Sequence, residues 1–211
     1  MILNDKIYAM NEPALIRHAK NGDLTAFNKL VLQYQDMLYN TAYRILGDPG
    51  LAGDATQEAF ISAFRKLKSY RGGSFKAWLL RIVTNACYDE LRRQKRRPTT
   101  PLEPITENDE EMESPSWIAD SADSPEKQLE TLELEQAIQR CIENLPPDFR
   151  TVIVLADIQG LDYKEAAKAI KKPLGTIKSR LARARLRLRE CLQKVKELLP
   201  TAFRLEGENN Q

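Results

Sequence analysis

The chain has 211 residues, which admits one large domain or two small ones. Lys and Arg number 32 against 30 Asp and Glu, so the net charge of +2 points to no partner class, whereas the segregation of the signs into blocks does. The abundance of Leu, Ala, Arg, Lys and Glu favours helices over strands, and no apolar run approaches the roughly 20 residues of a membrane span.

The first residues, MILNDKIYAMNEP, lack the basic-then-apolar order of a secretory signal, so a cytoplasmic location is expected. A helix is predicted over 12–21, stopped by Gly22. His18, the single histidine, lies among Arg17, Lys20 and Asp23 and reads as a solvated surface group. A second helix is predicted over 24–46, because Phe27, Leu30, Val31, Tyr34, Leu38, Ala42 and Ile45 recur at three- and four-residue steps. The stretch Gly47-Asp48-Pro49-Gly50 breaks it. A third helix over 51–67 is predicted to bury Ala55, Ala59, Phe60, Ala63, Phe64 and Leu67, which leaves Gln57, Glu58 and Ile61 off the buried face. The loop SYRGGS then leads to a fourth helix over 75–94, running into the basic block RRQKRR at 92–97. In it Phe75, Trp78, Leu79, Ile82 and Val83 are expected to hold the helix in the bundle, with Trp78 as core rather than a stacking platform. Four helices with short connections make a compact bundle.

Residues 98–125 carry five prolines and eight acids with no Lys or Arg. Such a segment buries too little to offset the entropy of ordering and reads as a mobile linker. Trp117 and Ile118 within it are either a docking anchor or an exposed pair. The negative charge of this strap is expected either to mimic nucleic acid or to cover the chain's own basic helices.

Helices follow over 125–144, 148–157 and 163–170, with Gly160 turning the chain. The turn KKPLG, holding Gly175, precedes a last helix over 176–198. Ile177, Leu181, Ala184 and Leu188 form one stripe, expected to pack on Ala166, Ala167, Ile170, Val152 and Leu155. The six cations from Lys178 to Arg189 meet no acid until Glu190. Like charges at i,i+4 weaken a helix, so an external polyanion is the expected compensation. Small side chains at Ser179 and Ala182 admit close approach to base edges, and Arg183 is suited to a bidentate contact with guanine. A short helix, a turn and a longer basic helix make a helix-turn-helix.

The three cysteines, Cys87, Cys141 and Cys191, are scattered and odd in number. Neither a disulfide framework nor a zinc site is expected of them, and Cys87 and Cys141, beside apolar neighbours, are expected to be inert packing rather than sensors of oxidation. No metal, cofactor or catalytic constellation is legible, so the chain is not read as an enzyme.

The stretch LPPDFRTVIVLADIQGLDYKEAAKAI followed by KKPLGTIKSRLARARLRLRECL resembles the C-terminal promoter-binding domain of the extracytoplasmic-function (ECF) sigma factors, a subfamily of the sigma-70 family. DATQEAFISAFRKL at 54–67 and SFKAWLLRIVTNACYDELRRQKRR at 74–97 resemble their N-terminal domain. The likeness covers about 12–97 and 126–195, and departs from the family at Leu80, where an aromatic is frequent, and near Gly53, where an acid is usual. The resemblance implies an all-α chain of two small helical domains. Sigma domain 2, a four-helix unit, would span 1–97. The flexible acidic linker would span 98–125, the helix-turn-helix of sigma domain 4 would span 126–199, and a disordered tail 200–211.

It further implies binding to core RNA polymerase, recognition of two promoter elements and opening of the duplex, under an anti-sigma factor and without membrane insertion. By position, Asp54, Gln57, Glu58 and Ile61 would contact core polymerase. Tyr70, Arg71, Ser74, Asn85, Asp89, Arg92 and Arg93 would meet the minus-10 element, with Asp89 alternatively orienting an arginine and the YRGGS loop forming a pocket for a flipped base. Thr176, Lys178, Ser179, Arg180, Ala182, Arg183 and Arg185 would meet the minus-35 element. An ordinary helix-turn-helix regulator would account for 174–188, but not for the basic block at 92–97 or the Gln57-Glu58 patch.

Overall fold

The computed structural model describes residues 11–96 and 125–195, with side chains from 131 onward in the second segment. The linker with Trp117 and Ile118, Arg97 and the tail at 200–211 lie outside the described residues.

Among the described residues there is no strand. The N-terminal unit comprises α1 (Glu12–Lys20), α2 (Leu24–Leu46), α3 (Pro49–Lys66), a 3-10 turn (Leu67–Ser69) and α4 (Phe75–Arg96). The C-terminal unit comprises α5 (Pro125–Glu143), α6 (Pro147–Ile153) continued by a π turn (Val154–Ile158), α7 (Tyr163–Ile170) and α8 (Leu174–Lys194). No helix among the described residues is long and apolar enough to cross a membrane.

Local chemistry sets the helix starts. Asn11, Asp23 and Asp48 each accept a hydrogen bond from the backbone N–H three residues on, at 3.2, 3.1 and 2.7 Å. Each such cap contributes about 1 kcal/mol. Asp48 with Pro49 behind it starts α3 two residues before the apolar pattern does. Asp162 and Glu165 form a reciprocal capping box on α7. Helix α2 ends at Gly47, whose φ of 77° is left-handed; a Cβ there would also lie 3.1 Å from the Glu143 carboxylate.

The predicted stripes are buried as expected, with two differences. Leu30, Leu38, Ala42 and Ile45 of α2 pack on Ala55, Ala59 and Ala63 of α3 and on Phe75, Leu79 and Val83 of α4. Phe64 is 40% exposed rather than core, because its ring rests on the edge of the bundle against Phe27, with centroids 4.9 Å apart. In the C-terminal unit Ile177, Leu181 and Ala184 are buried against α6 and α7, and Leu188 is half-buried.

The second difference lies in the helix-turn-helix. Gly175 is already inside α8, and the left-handed residue of the turn is Lys171, with φ 54° and ψ 47°. Pro173 forces the preceding residue to extend. Its carbonyl then accepts from Thr176 and Ile177, so α8 starts two residues earlier than predicted.

One expectation is overturned. Cys141 and Cys191 form a disulfide, with Cα atoms 5.7 Å apart. Scatter along the sequence did not imply separation in space: α5 and α8 run side by side and bring their last turns together. Cys87 is free and fully buried.

The two units are docked on one another and share a continuous apolar core. Helix α7 lies along α4, and α5, α6 and the π turn meet α2. Arg150 locks the junction. Its guanidinium donates to the carbonyls of Ile45 at 2.7 Å, Leu145 at 3.2 Å and Glu143. It thereby neutralises the negative ends of both α2 and α5.

Candidate nucleic-acid interface

The first cationic surface is built on α4 and the loop before it. Tyr70 is buried, and its ring packs on Phe75 and Trp78 at 5.3 and 5.2 Å between centroids. Its hydroxyl donates to the Gly73 carbonyl at 2.6 Å, and its own carbonyl accepts from Lys20 at 2.7 Å. Burial raises the Tyr70 pKa, so the phenol stays a donor. Gly72 and Gly73 sit at φ 95° and 92°, a left-handed pair that side chains disfavour. The Ser74 hydroxyl accepts from Ala77 N–H at 3.1 Å and so starts α4.

This loop opens a cavity of about 480 Å³ lined by Tyr70, Arg71, Gly72, Gly73, Ser74, Trp78 and Arg81. Glu165, Lys168 and Ala169 of α7 complete its wall, so both units line the cavity. Trp78 packs in the aromatic cluster and also lines the cavity. Further along α4, Asn85 donates to the Arg81 carbonyl at 2.7 Å. Asp89 holds Arg92 at 2.9 Å and Glu90 holds Arg93 at 2.8 Å. Both arginines remain exposed.

The second surface is the outer face of α8. Lys178, Ser179, Ala182, Arg183 and Leu186 are exposed on the side opposite the buried stripe, and Thr176 is half-buried with its carbonyl accepting from Ser179. The acids missing from α8 itself come from its neighbours. Asp148 binds Arg180 at 2.6 Å, and Asp157 grips Arg185 at 2.6 and 2.9 Å. The hydrogen bonds it donates to Asp157 raise Arg185 above the ordinary guanidinium range. Arg187 lies over the Phe149 ring at 5.1 Å. Arg180, Arg185 and Arg187 are thus held at the flanks, whereas Lys178, Arg183 and Arg189 are exposed with no ion pair among the described residues. Sequence periodicity separated face from flank, but the pairing with Asp148 and Asp157 had no signal in the sequence.

A third patch lies on α3. Asp54, Gln57, Glu58 and Ile61 are all exposed, and Phe64 extends the patch by one turn. Apolar Ile61 and Phe64 among polar neighbours suit a protein partner.

Comparison with known proteins gives the family. Residues 30–97 match the family described as Sigma-70 region 2, and residues 135–188 match Sigma-70, region 4. The RNA polymerase sigma-H factor of Pseudomonas aeruginosa is 36% identical over 180 residues, 85% of this chain and 92% of that protein. The ECF RNA polymerase sigma-E factor of Escherichia coli is 37% identical over 177 residues, 83% of this chain and 91% of that protein. The sigma factor RpoE of Bartonella quintana, solved with the anti-sigma factor NepR, superposes with a TM-score of 0.59 at 26% identity, covering 80% of this chain and 98% of that one. With two family regions in the right order and relatives matched over nearly their whole length, the chain belongs to the extracytoplasmic-function subfamily of the sigma-70 family of RNA polymerase sigma factors.

Proposed function

We propose that the three surfaces divide the work of promoter-directed initiation. Sigma factors bind core RNA polymerase and promoter DNA and are initiation factors, not enzymes. In this chain the α3 patch of Asp54, Gln57, Glu58 and Ile61 docks on core polymerase. The outer face of α8, with Thr176, Lys178, Ser179, Arg180, Ala182, Arg183 and Arg185, reads the minus-35 element. The loop and α4, with Tyr70, Arg71, Ser74, Asn85, Asp89, Arg92 and Arg93, read and open the minus-10 element. The domains divide at 1–97, 98–125 and 126–199, and the chain works in the cytoplasm.

The observation that carries this reading is the α8 face: Lys178 and Arg183 stand outward beside the small side chains of Ser179 and Ala182, while Asp148 and Asp157 hold Arg180 and Arg185 at the flanks. A groove-reading helix reads sequence through outward side chains that reach base edges, while contacts to phosphate fix its register. A flipped base enters the cavity beside Tyr70 and Arg71. Unstacking that base costs a few kcal/mol, which contacts in the cavity offset. Because α7 takes up one side of this cavity, the two units separate to make room for DNA. An anti-sigma factor, like the one bound to the Bartonella protein, holds the chain inactive by keeping polymerase or DNA away.

Runoff transcription tests the reading. Core polymerase with the purified chain is expected to give discrete RNAs from genomic fragments without ATP hydrolysis to open the duplex. A ligand-sensing regulator would leave core enzyme unable to initiate.

A further inference from the structure

Cys141 lies in the last turn of α5 and is 2% exposed, whereas Cys191, in the last turn of α8, is half-buried. The bond between them closes a sequence separation of 50, enclosing α6, the π turn, α7 and most of α8. Beside it opens a cavity of about 500 Å³ that reaches both sulfur-bearing residues. Arg140 and Lys194 stand on its wall, opposed among the described residues by Glu133. Nothing in the DNA-reading or polymerase-docking geometry uses this cavity.

We propose that Cys141 and Cys191 form a reversible dithiol–disulfide site, whose substrate is a small disulfide carrying carboxylates, and that its state sets the persistence of the helix-turn-helix. The chemistry follows from exposure. A thiolate is the attacking species, and cationic surroundings favour it. The Cys191 thiolate, the more accessible, attacks one sulfur of the small disulfide. A mixed disulfide forms at Cys191 and one small thiolate leaves. The Cys141 thiolate then attacks the Cys191 sulfur, closing the bond and expelling the second small thiolate. Two electrons pass from the protein to the small disulfide, and the two thiol protons end on the two small thiols. Excess small thiol drives the same steps backward. The cavity gives the small disulfide room beside Cys191, and Arg140 and Lys194 meet its carboxylates. Cys87 takes no part: it is fully buried in the other unit, and burial pushes its thiol up to about 12.

Closing the bond restricts the unfolded chain over the whole minus-35 reader. The reduced unit relies on packing alone to hold the end of α8.

The full chain is equilibrated in mixtures of reduced and oxidised glutathione, alkylated and weighed. Two thiols are expected to disappear together in one reversible two-electron transition, leaving one. Cys141→Ser is expected to gain a single glutathione at Cys191. The oxidised protein is expected to melt about 10 °C above the reduced one in the transition of the C-terminal unit. The proposal is overturned if all three thiols stay alkylatable in excess oxidised glutathione, or if the bond resists excess reduced glutathione. A Cys141→Ser chain that takes up no glutathione, or a melting point indifferent to oxidation, would likewise sink it.

Discussion

Lys76, in the first turn of α4, donates to the backbone carbonyl of Gln159 at 2.7 Å, across 83 residues of chain. This one bond ties the N-terminal unit to the end of the π turn, next to the helix that walls the loop cavity. Replacing Lys76 with Met keeps the apolar stem and removes the donor. A lost hydrogen bond of about 1 kcal/mol shifts a docking equilibrium about fivefold. The Lys76→Met chain is expected to bind a single-stranded minus-10 oligonucleotide up to about fivefold more tightly, with a larger radius of gyration by small-angle scattering. Unchanged affinity and size would mean that the units do not compete with DNA.

Arg150 closes the same junction from the other side. Its fork reaches three carbonyls, which a single ammonium cannot match. Arg150→Met is expected to lower stability by about 2–3 kcal/mol in chemical denaturation, and Arg150→Lys to recover less than half of that. Full recovery by Lys would show that charge alone matters there.

On α8 the outward and the tied cations are expected to behave differently. Arg183→Ala should weaken duplex binding by about 1–3 kcal/mol and relax preference at one base pair. Lys178→Ala should weaken binding evenly across sequences and flatten the salt dependence by about one counterion. Asp157→Asn releases Arg185 from its carboxylate, so duplex affinity should rise and the salt dependence steepen. Fluorescence anisotropy across a salt series reads all three.

Much of this was legible in the sequence, because apolar spacing of three and four residues determines which side of a helix is covered. The stripe Ile177, Leu181 and Ala184 and the exposed Gln57, Glu58 and Ile61 both followed from that rule. Phe64 did not, since a bundle's edge is not encoded in the period of one helix. Lys171 took the left-handed turn position expected of a glycine because Pro173 two residues later fixed where α8 begins. The Cys141–Cys191 bond, the Arg150 fork and the Asp157–Arg185 pair all join residues far apart in sequence, and helical spacing carries no information on such meetings.

The buried thiol of Cys87 makes a prediction about alkaline pH. Burial raises it from 9.0 to about 12. Its contribution to stability is therefore full below about pH 9 and is lost as the pH rises through about 12. Between those values the unfolded chain has released a proton that the folded chain retains, so stability falls by about 1.4 kcal/mol per pH unit from this group. Cys87→Ala is expected to flatten the decline by that slope when denaturant midpoints are measured from pH 9 to 11. An unaltered slope would place the alkaline loss elsewhere, for example at Tyr34, which burial and Glu12 also raise.

In the proposed function, two cationic surfaces on one chain hold one promoter at two places. Mapping the 5′ ends of RNAs made by core polymerase with this chain tests it most directly. Discrete starts are expected, preceded by two shared sequence elements at a fixed spacing, the upstream one losing definition in Arg183→Ala. Starts that share only one element, or no RNA from any genomic fragment, would contradict it.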